Sequence, residues 1–372
     1  MSKISLASQI IGEKRYESLL LFGLQERTFL RLLAVFVVIA AVFYPYPRIA
    51  MWIGFMLAGY SAIANDSIQT IGTFISSNSD QKWWMLWLWI GGIFVATVFY
   101  SWYVYDGDVS FQRLTSKGFS ESPKEFHFLQ IIAPVILLFI TRLRMPVSTT
   151  FMLLSCFSAD ASGILGVTQK SLLGYLIAFT MATLVWYFMA GVINKITAGK
   201  PHKLWRVAQW IISGWLWSMW ITHDAANIAI FLNRSLTLLD FVLFASFIFF
   251  GLGVLFYLRG DKIQSIITEK SQIVDVRSAS IIDLVYATVL FIFKEWSNIP
   301  MSTTWIFLGL LGGRELAMQL SRHSETNRTM FATIRMIVRD VAYATLGLII
   351  SVILAIAVNV NIQHEIKEYM GW

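Results

Sequence analysis

Residues 51–77 read MWIGFMLAGYSAIANDSIQTIGTFISS, and Asp66 is the only charged side chain among them. A run of this length crosses about 30 Å of hydrocarbon as a helix. An ionised carboxylate in its middle is costly unless it faces a cavity, an ion path or a partner. Met51 to Ala64 precede the acid and Ile68 to Ile75 follow it, so it sits far from either end. The run is read as a membrane segment with a functional acid at its centre.

Comparable runs lie near 29–46, 83–104, 126–143, 147–166, 171–193, 207–233, 236–258, 280–297 and 341–360, with a shorter one at 301–313, eleven in all. The whole chain is 57% apolar and only 14% charged, against roughly 25% charged in a soluble domain. Trp83, Trp84, Trp87 and Trp89 open one run, as amphipathic rings do at a membrane interface. These features predict an all-α polytopic membrane protein. The first 28 residues mix Glu with Lys and Arg and precede no small-residue cleavage site, so the first run is expected to remain as a span.

Counting Lys and Arg alternately in the connecting segments places 21 of the 29 on the side of the amino terminus and 8 on the other. By the positive-inside rule the amino terminus is cytoplasmic and the carboxyl terminus outside, which fits the cytoplasmic membrane of a prokaryote. The net charge of +7 does not point to nucleic acid, because the basic residues sit between apolar runs and not on one basic face. A lone Cys156 allows no intramolecular disulfide and shows no metal spacing.

One constellation occurs twice. Ala64-Asn65-Asp66-Ser67-Ile68-Gln69 is followed by Pro146-Val147-Ser148-Thr149-Thr150; Thr222-His223-Asp224-Ala225-Ala226-Asn227 is followed by Pro300-Met301-Ser302-Thr303-Thr304. The offsets, 224 − 66 = 158 and 302 − 148 = 154, agree to within four residues. Five passes separate the two acids if every run crosses, and three remain if 51–77 and 147–166 both dip in and return; an odd number inverts the second copy. Inverted repeats with broken or half-length helices meeting at mid-membrane are a common transporter plan. The expected division is a cytoplasmic segment 1–28, a first helix 29–50, repeat one 51–166, a connecting helix and basic loop 167–206, repeat two 207–316, and a basic loop, last helix and tail 317–372.

Asp66 and Asp224 are the first candidates for the site. Gln69 and Asn227 follow them by three residues and fall on the same helical face. Pro-x-Ser-Thr-Thr reads as a helix start, with Pro in the first turn and hydroxyls for the free N–H groups. At mid-membrane such a start offers N–H donors and a positive dipole end to an anion, which nominates Ser148, Thr149, Thr150, Ser302, Thr303 and Thr304. Asn65 and His223 precede the acids and are candidate cation ligands together with Asp66 and Asp224; His223 reads equally well as a hydrogen-bonded core histidine. Asp240, Asp283, Arg339 and Asp340 lie near ends of runs and are expected to be exposed.

Enzyme signatures are missing from the sequence: there is no Gly-x-Ser-x-Gly, no His-Glu-x-x-His and no phosphate loop ending in Gly-Lys-Ser/Thr. Ser79 and Lys82 form Ser-x-x-Lys in a short polar connection, without the companion motifs of that class.

The paired motifs resemble those of the inorganic phosphate transporter (PiT) family, whose repeats carry a Gly-Ala-Asn-Asp-x-x-Asn-Ala signature and a later Pro-x-Ser-Thr-Thr. The likeness covers about 51–166 and 207–316. Ala64-Asn65-Asp66 with Gly72-Thr73 match the first signature, and Asp224 with Asn227 the second. Gln69 and His223 stand where the family has Asn, Phe151 and Trp305 stand where it often has His, and Ile75-Ser76-Ser77 lacks its glycines. The resemblance implies a sodium- or proton-coupled symporter of inorganic phosphate, with no other cofactor and with a homodimer as a natural assembly. A sulfate or other oxyanion permease and an anion channel are the alternatives; a membrane-embedded enzyme is disfavoured.

Overall fold

The computed structural model describes residues 26–115, 119, 122–143, 145–197, 199, 201–258, 275–321 and 329–370, and every regular element among them is helical. The basic stretches at 1–25, 259–274 and 322–328 lie outside the described residues.

Helix α1 (Arg27–Phe43) ends before Pro45, and Pro47, which needs no intrahelical N–H partner, opens α2 (Pro47–Ser61). A π-helical turn, Ala62–Asp66, joins α2 without a break to α3 (Ser67–Ser77). Then come α4 (Trp83–Val104), α5 (Phe128–Arg142), the short π and 3-10 turns Thr150–Leu154 and Ser155–Phe157, and α6 (Ala161–Thr197). The second half runs α7 (Leu204–Ala229), α8 (Leu238–Tyr257), α9 (Val276–Trp296), α10 (Thr303–Leu320), α11 (Met330–Val358) and α12 (Val360–Met370). Five of these are long and apolar enough to cross a membrane: α4, Ala161–Met189 of α6, α8, α9 and α11. The chain is an integral membrane protein.

Two of the eleven expected spans are redrawn. The run 147–166 does not form one helix: Ser158 is extended, and the Asp160 carboxylate accepts from the Ser162 hydroxyl at 2.6 Å and the Gly163 N–H at 3.1 Å, which starts a new helix inside the run. That helix continues through Lys170 to Thr197, so the expected break between 166 and 171 is absent. Lysine is a good helix former, and its ammonium finds carbonyl partners described below.

Packing places the two motif copies face to face. The most extensive pairs are α6 with α10 and α7 with α9, while α4 packs against α8 and α7, and α2 against α5. On α10, Gly309 and Gly313 form a small-xxx-small seam where a Cβ would meet the backbone of Tyr175 and Phe179 on α6. The Thr183 hydroxyl donates to the Gly313 carbonyl at 3.3 Å across that seam.

Candidate functional site

Asp66 closes the π turn. Such turns carry one residue more than an α turn and are frequent at functional positions; here the turn sets a buried acid, 2% exposed, between α2 and α3. Its Oδ1 accepts from Asn65 Nδ2 at 2.7 Å and from Gln69 Nε2 at 3.5 Å. The Thr149 hydroxyl lies beside it and is buried without a hydrogen bond. Among the described residues no ion pair forms at Asp66.

Asp224 occupies the same place in the second copy, 1% exposed, but in the regular helix α7. Its Oδ2 accepts from Thr303 Oγ1 at 2.6 Å and its Oδ1 from Asn227 Nδ2 at 2.5 Å. Asn227 Nδ2 also reaches Thr150 Oγ1 at 3.1 Å, and Thr150 Oγ1 lies 3.2 Å from the Met301 carbonyl it donates to. Thr150 belongs to the first copy and the others to the second, so these bonds knit the two halves together. The two carboxylates are close enough to feel each other's charge.

Both Ser-Thr-Thr units begin helical turns. Ser148 Oγ accepts the Phe151 N–H and Ser302 Oγ accepts the Trp305 N–H, each at 3.2 Å, so the serines cap and the threonines project. Thr304 is buried alongside, outside this set of hydrogen bonds. The two residues that depart from the family's His pack on each other: Phe151 and Trp305 meet edge to face with ring centroids 6.2 Å apart. Trp305 Nε1 and Asn227 Oδ1 are buried with no partner, as Thr149 Oγ1 is. Orphaned donors and acceptors gathered at one place are what a polar ligand would satisfy. His223 is fully buried, and its Nε2 lies 2.9 Å from the Leu290 carbonyl on α9, the contact of a core histidine.

Sequence reasoning missed two cations and one acid. Arg113, which lies in a polar loop between apolar runs, is buried: its Nε donates to the Thr222 carbonyl at 2.5 Å and its Nη1 to the Ser297 and Ile299 carbonyls at 3.3 and 3.4 Å. It lies within Coulombic reach of Asp224. The loop that delivers it is strained, with Phe111 and Gln112 both in the left-handed region at φ 55° and 58°, each costing about 1–2 kcal/mol. Asp108 pins it by accepting the Ser110 and Gln112 N–H groups at 2.7 Å each. Lys170 Nζ donates to the same Ser297 and Ile299 carbonyls at 2.7 and 2.5 Å, so two cations clasp the strand leading into Pro300. Lys170 falls between the runs 147–166 and 171–193 and reads there as a loop charge, and nothing in the polar loop marks Arg113. Asp283, expected to be exposed, is instead 1% exposed between α3 and α7, because α9 begins at Val276 and carries it two turns into the bundle.

A cavity of about 1070 Å³ is lined by residues that include Glu26, Phe55, Ala64, Asn65, Arg142 and Phe247, and Asn65 borders Asp66. Glu26 and Arg142 are paired at 2.6 Å.

No family model and no curated protein matches the chain. Among solved structures, one described as the sodium-dependent phosphate transporter matches with a TM-score of 0.53 and 17% identity, over 84% of this chain and 96% of that one. A match of this extent shows a shared fold: the chain has the fold of that structure.

Proposed function

We propose that the chain is a cation-coupled symporter of inorganic phosphate and a divergent member of the inorganic phosphate transporter family. The observation that carries this reading is the central cluster, in which Asp66 and Asp224, one from each motif copy, meet Thr149, Thr150, Thr303 and Asn227 in a buried site. The free Thr149 hydroxyl and the orphaned Trp305 indole N–H suit a tetrahedral oxyanion, and the acids, with the orphaned Asn227 Oδ1, suit its protons. The solved structure of the same fold is described as sodium-dependent and phosphate-transporting, which supports the same assignment here.

Charge argues for coupling. Two unit charges 4 Å apart repel by about 4 kcal/mol at an effective dielectric of 20, so a dianion beside two carboxylates needs compensation. Arg113 lies within Coulombic reach of Asp224, while among the described residues Asp66 has amide and hydroxyl donors and the like charge of Asp224 beside it but no ion-paired cation. The cation demand therefore falls on Asp66, with Asn65 beside it. A sodium ion or a proton meets it.

The inverted arrangement fits the helix lengths. The 15 residues of α5 and the short turns Thr150–Phe157 are too short for two crossings, which supports a hairpin that returns to its starting side. Passes α2–α3, α4 and α6 then separate the acids, an odd number. A second hairpin, α9–α10, leaves the amino terminus cytoplasmic and the carboxyl terminus outside. Labelling of a cysteine introduced after Met370 is expected from the outside only; labelling from the cytoplasm overturns this topology. The functional reading is tested by uptake of labelled phosphate into proteoliposomes under an imposed sodium or proton gradient. Accumulation above the equilibrium level supports symport; uptake that only equilibrates supports the anion channel; uptake of sulfate alone supports the sulfate permease.

A further inference from the structure

Asp283 plays no part in the central cluster, yet it is buried as deeply as the acids that do. Its Oδ1 accepts from Thr73 Oγ1 at 2.7 Å and its Oδ2 from Ser213 Oγ at 2.5 Å, so α3, α7 and α9 meet on it. Two neutral donors do not balance a buried carboxylate charge, and among the described residues no ion pair forms there. The hydroxyls keep lone pairs and can turn from donating to the carboxylate to ligating a cation.

The neighbours of Asp283 extend in both directions along α3. Toward the centre, one turn on, the Thr70 hydroxyl is 2% exposed and has no hydrogen bond; it lies beside Tyr286, whose hydroxyl donates to the Thr303 carbonyl at 3.0 Å. Beyond Thr70 comes Asp66. Away from the centre, Ser77 donates to the Thr73 carbonyl at 2.7 Å, Gln209 Nε2 donates to Ser77 Oγ, and Asn78 Nδ2 donates to Gln209 Oε1 at 2.9 Å. Asn78 and Gln209 are fully buried. The column ends at the exposed Asp80–Arg206 pair, on the face that the charge count assigns to the cytoplasm.

We propose that Asp283, with the hydroxyls of Thr73 and Ser213, is a second station for the coupling cation, placed between Asp66 and the cytoplasmic face. Positions 66, 70, 73 and 77 share one face of a helical segment, so the column is continuous from the central acid to Gln209. Among ionisable groups on the packed elements, α3 adds only Asp66 at its start, α7 carries Arg206, His223 and Asp224, and α9 carries Arg277, Tyr286, Lys294 and Glu295. Arg277 is engaged by Asp275 at 2.6 Å and Lys294 by Glu295 at 2.7 Å. A mobile cation is what supplies the charge that fixed residues do not.

The proposal rests on the coupled-transport reading, but its test needs no phosphate. Proteoliposomes holding the full chain are adsorbed to a solid-supported membrane and given a sodium jump at constant pH, or a pH jump at constant sodium, with no anion substrate. One of the two jumps is expected to evoke a transient charge movement, which tells sodium from proton. Asp283→Asn is expected to reduce that movement at least fivefold. The double variant Thr73→Val with Ser213→Ala, which keeps the acid, is expected to raise the half-saturating ion concentration at least tenfold. It decides the matter if Asp283→Asn fails to fold. An unaltered transient in Asp283→Asn, an unaltered half-saturation in the double variant, or no transient from either jump in the wild type overturns the second station. Failure of the phosphate assignment shows separately, as absent phosphate uptake by a wild type that still moves charge.

Discussion

Asp66→Ala and Asp224→Ala are each expected to lower gradient-driven phosphate uptake at least a hundredfold, and to differ in what they do to the fold. Removing the Asp224 carboxylate strands Thr303 and Asn227, which donate to it at 2.6 and 2.5 Å, and leaves buried Arg113 without its nearby opposite charge. Each stranded buried donor costs on the order of 1–3 kcal/mol, and the lost attraction to Arg113 adds to that. Removing the Asp66 carboxylate strands only the amides of Asn65 and Gln69, a loss on the order of 1–3 kcal/mol. Both variants lose transport; Asp224→Ala also melts at a clearly lower temperature than Asp66→Ala. Uptake into proteoliposomes and thermal unfolding in detergent measure the two effects. Residual uptake above a tenth of wild type in either variant removes that acid from the site, and a lower melting temperature for Asp66→Ala than for Asp224→Ala removes Arg113 as the partner of Asp224.

The second large effect is selectivity. Near neutral pH phosphate retains a proton that a carboxylate can accept, while sulfate has none. The Thr149 hydroxyl, whose O–H has no other acceptor, can donate to either tetrahedral anion, so discrimination falls to the acids. Asp66 is the better placed acceptor, because one of its two amide donors stands at 3.5 Å, the outer limit of a hydrogen bond. A deprotonated anion would set acceptor against acceptor there, and an unpartnered buried group costs roughly 1–3 kcal/mol, more when charged. The expected preference for phosphate is about tenfold or more. At pH 7 an excess of unlabelled sulfate should barely reduce uptake of labelled phosphate; inhibition as strong as that by unlabelled phosphate assigns the site to sulfate instead.

How much of this was legible beforehand depends on whether the physics was local. The membrane character, the two acids and the capping role of Ser148 and Ser302 follow from runs and motifs a few residues long, and all are found in the fold. The helix boundaries around 160 were not legible, because Lys170 reads as a loop charge until the carbonyls of Ser297 and Ile299, far along the chain, are seen to receive it. Arg113 was hidden for a related reason: a polar loop looks solvent-facing, and only the left-handed turn at Phe111 and Gln112, held by Asp108, turns its guanidinium inward. Asp283 was misjudged through the start of α9, which hydropathy placed several residues late. The compensation of Phe151 by Trp305 could be read only once the two copies were seen to touch.

The glycine seam of α10 has a mechanical meaning. With Gly309 and Gly313 set against the backbone of Tyr175 and Phe179, α10 meets α6 backbone to backbone along one seam, and any larger residue at either glycine would push the two helices apart. Thr303 stands at the head of α10, which that seam holds in place. The opposing arm, Thr150–Phe157, is short and rests on α11 through side chains such as Met152 against Ser351, contacts that can slide. A backbone-seated helix start thus faces, across the Thr150–Asn227–Asp224–Thr303 cluster, a short arm seated through side chains, so substitutions that loosen the site are expected to act first through that arm.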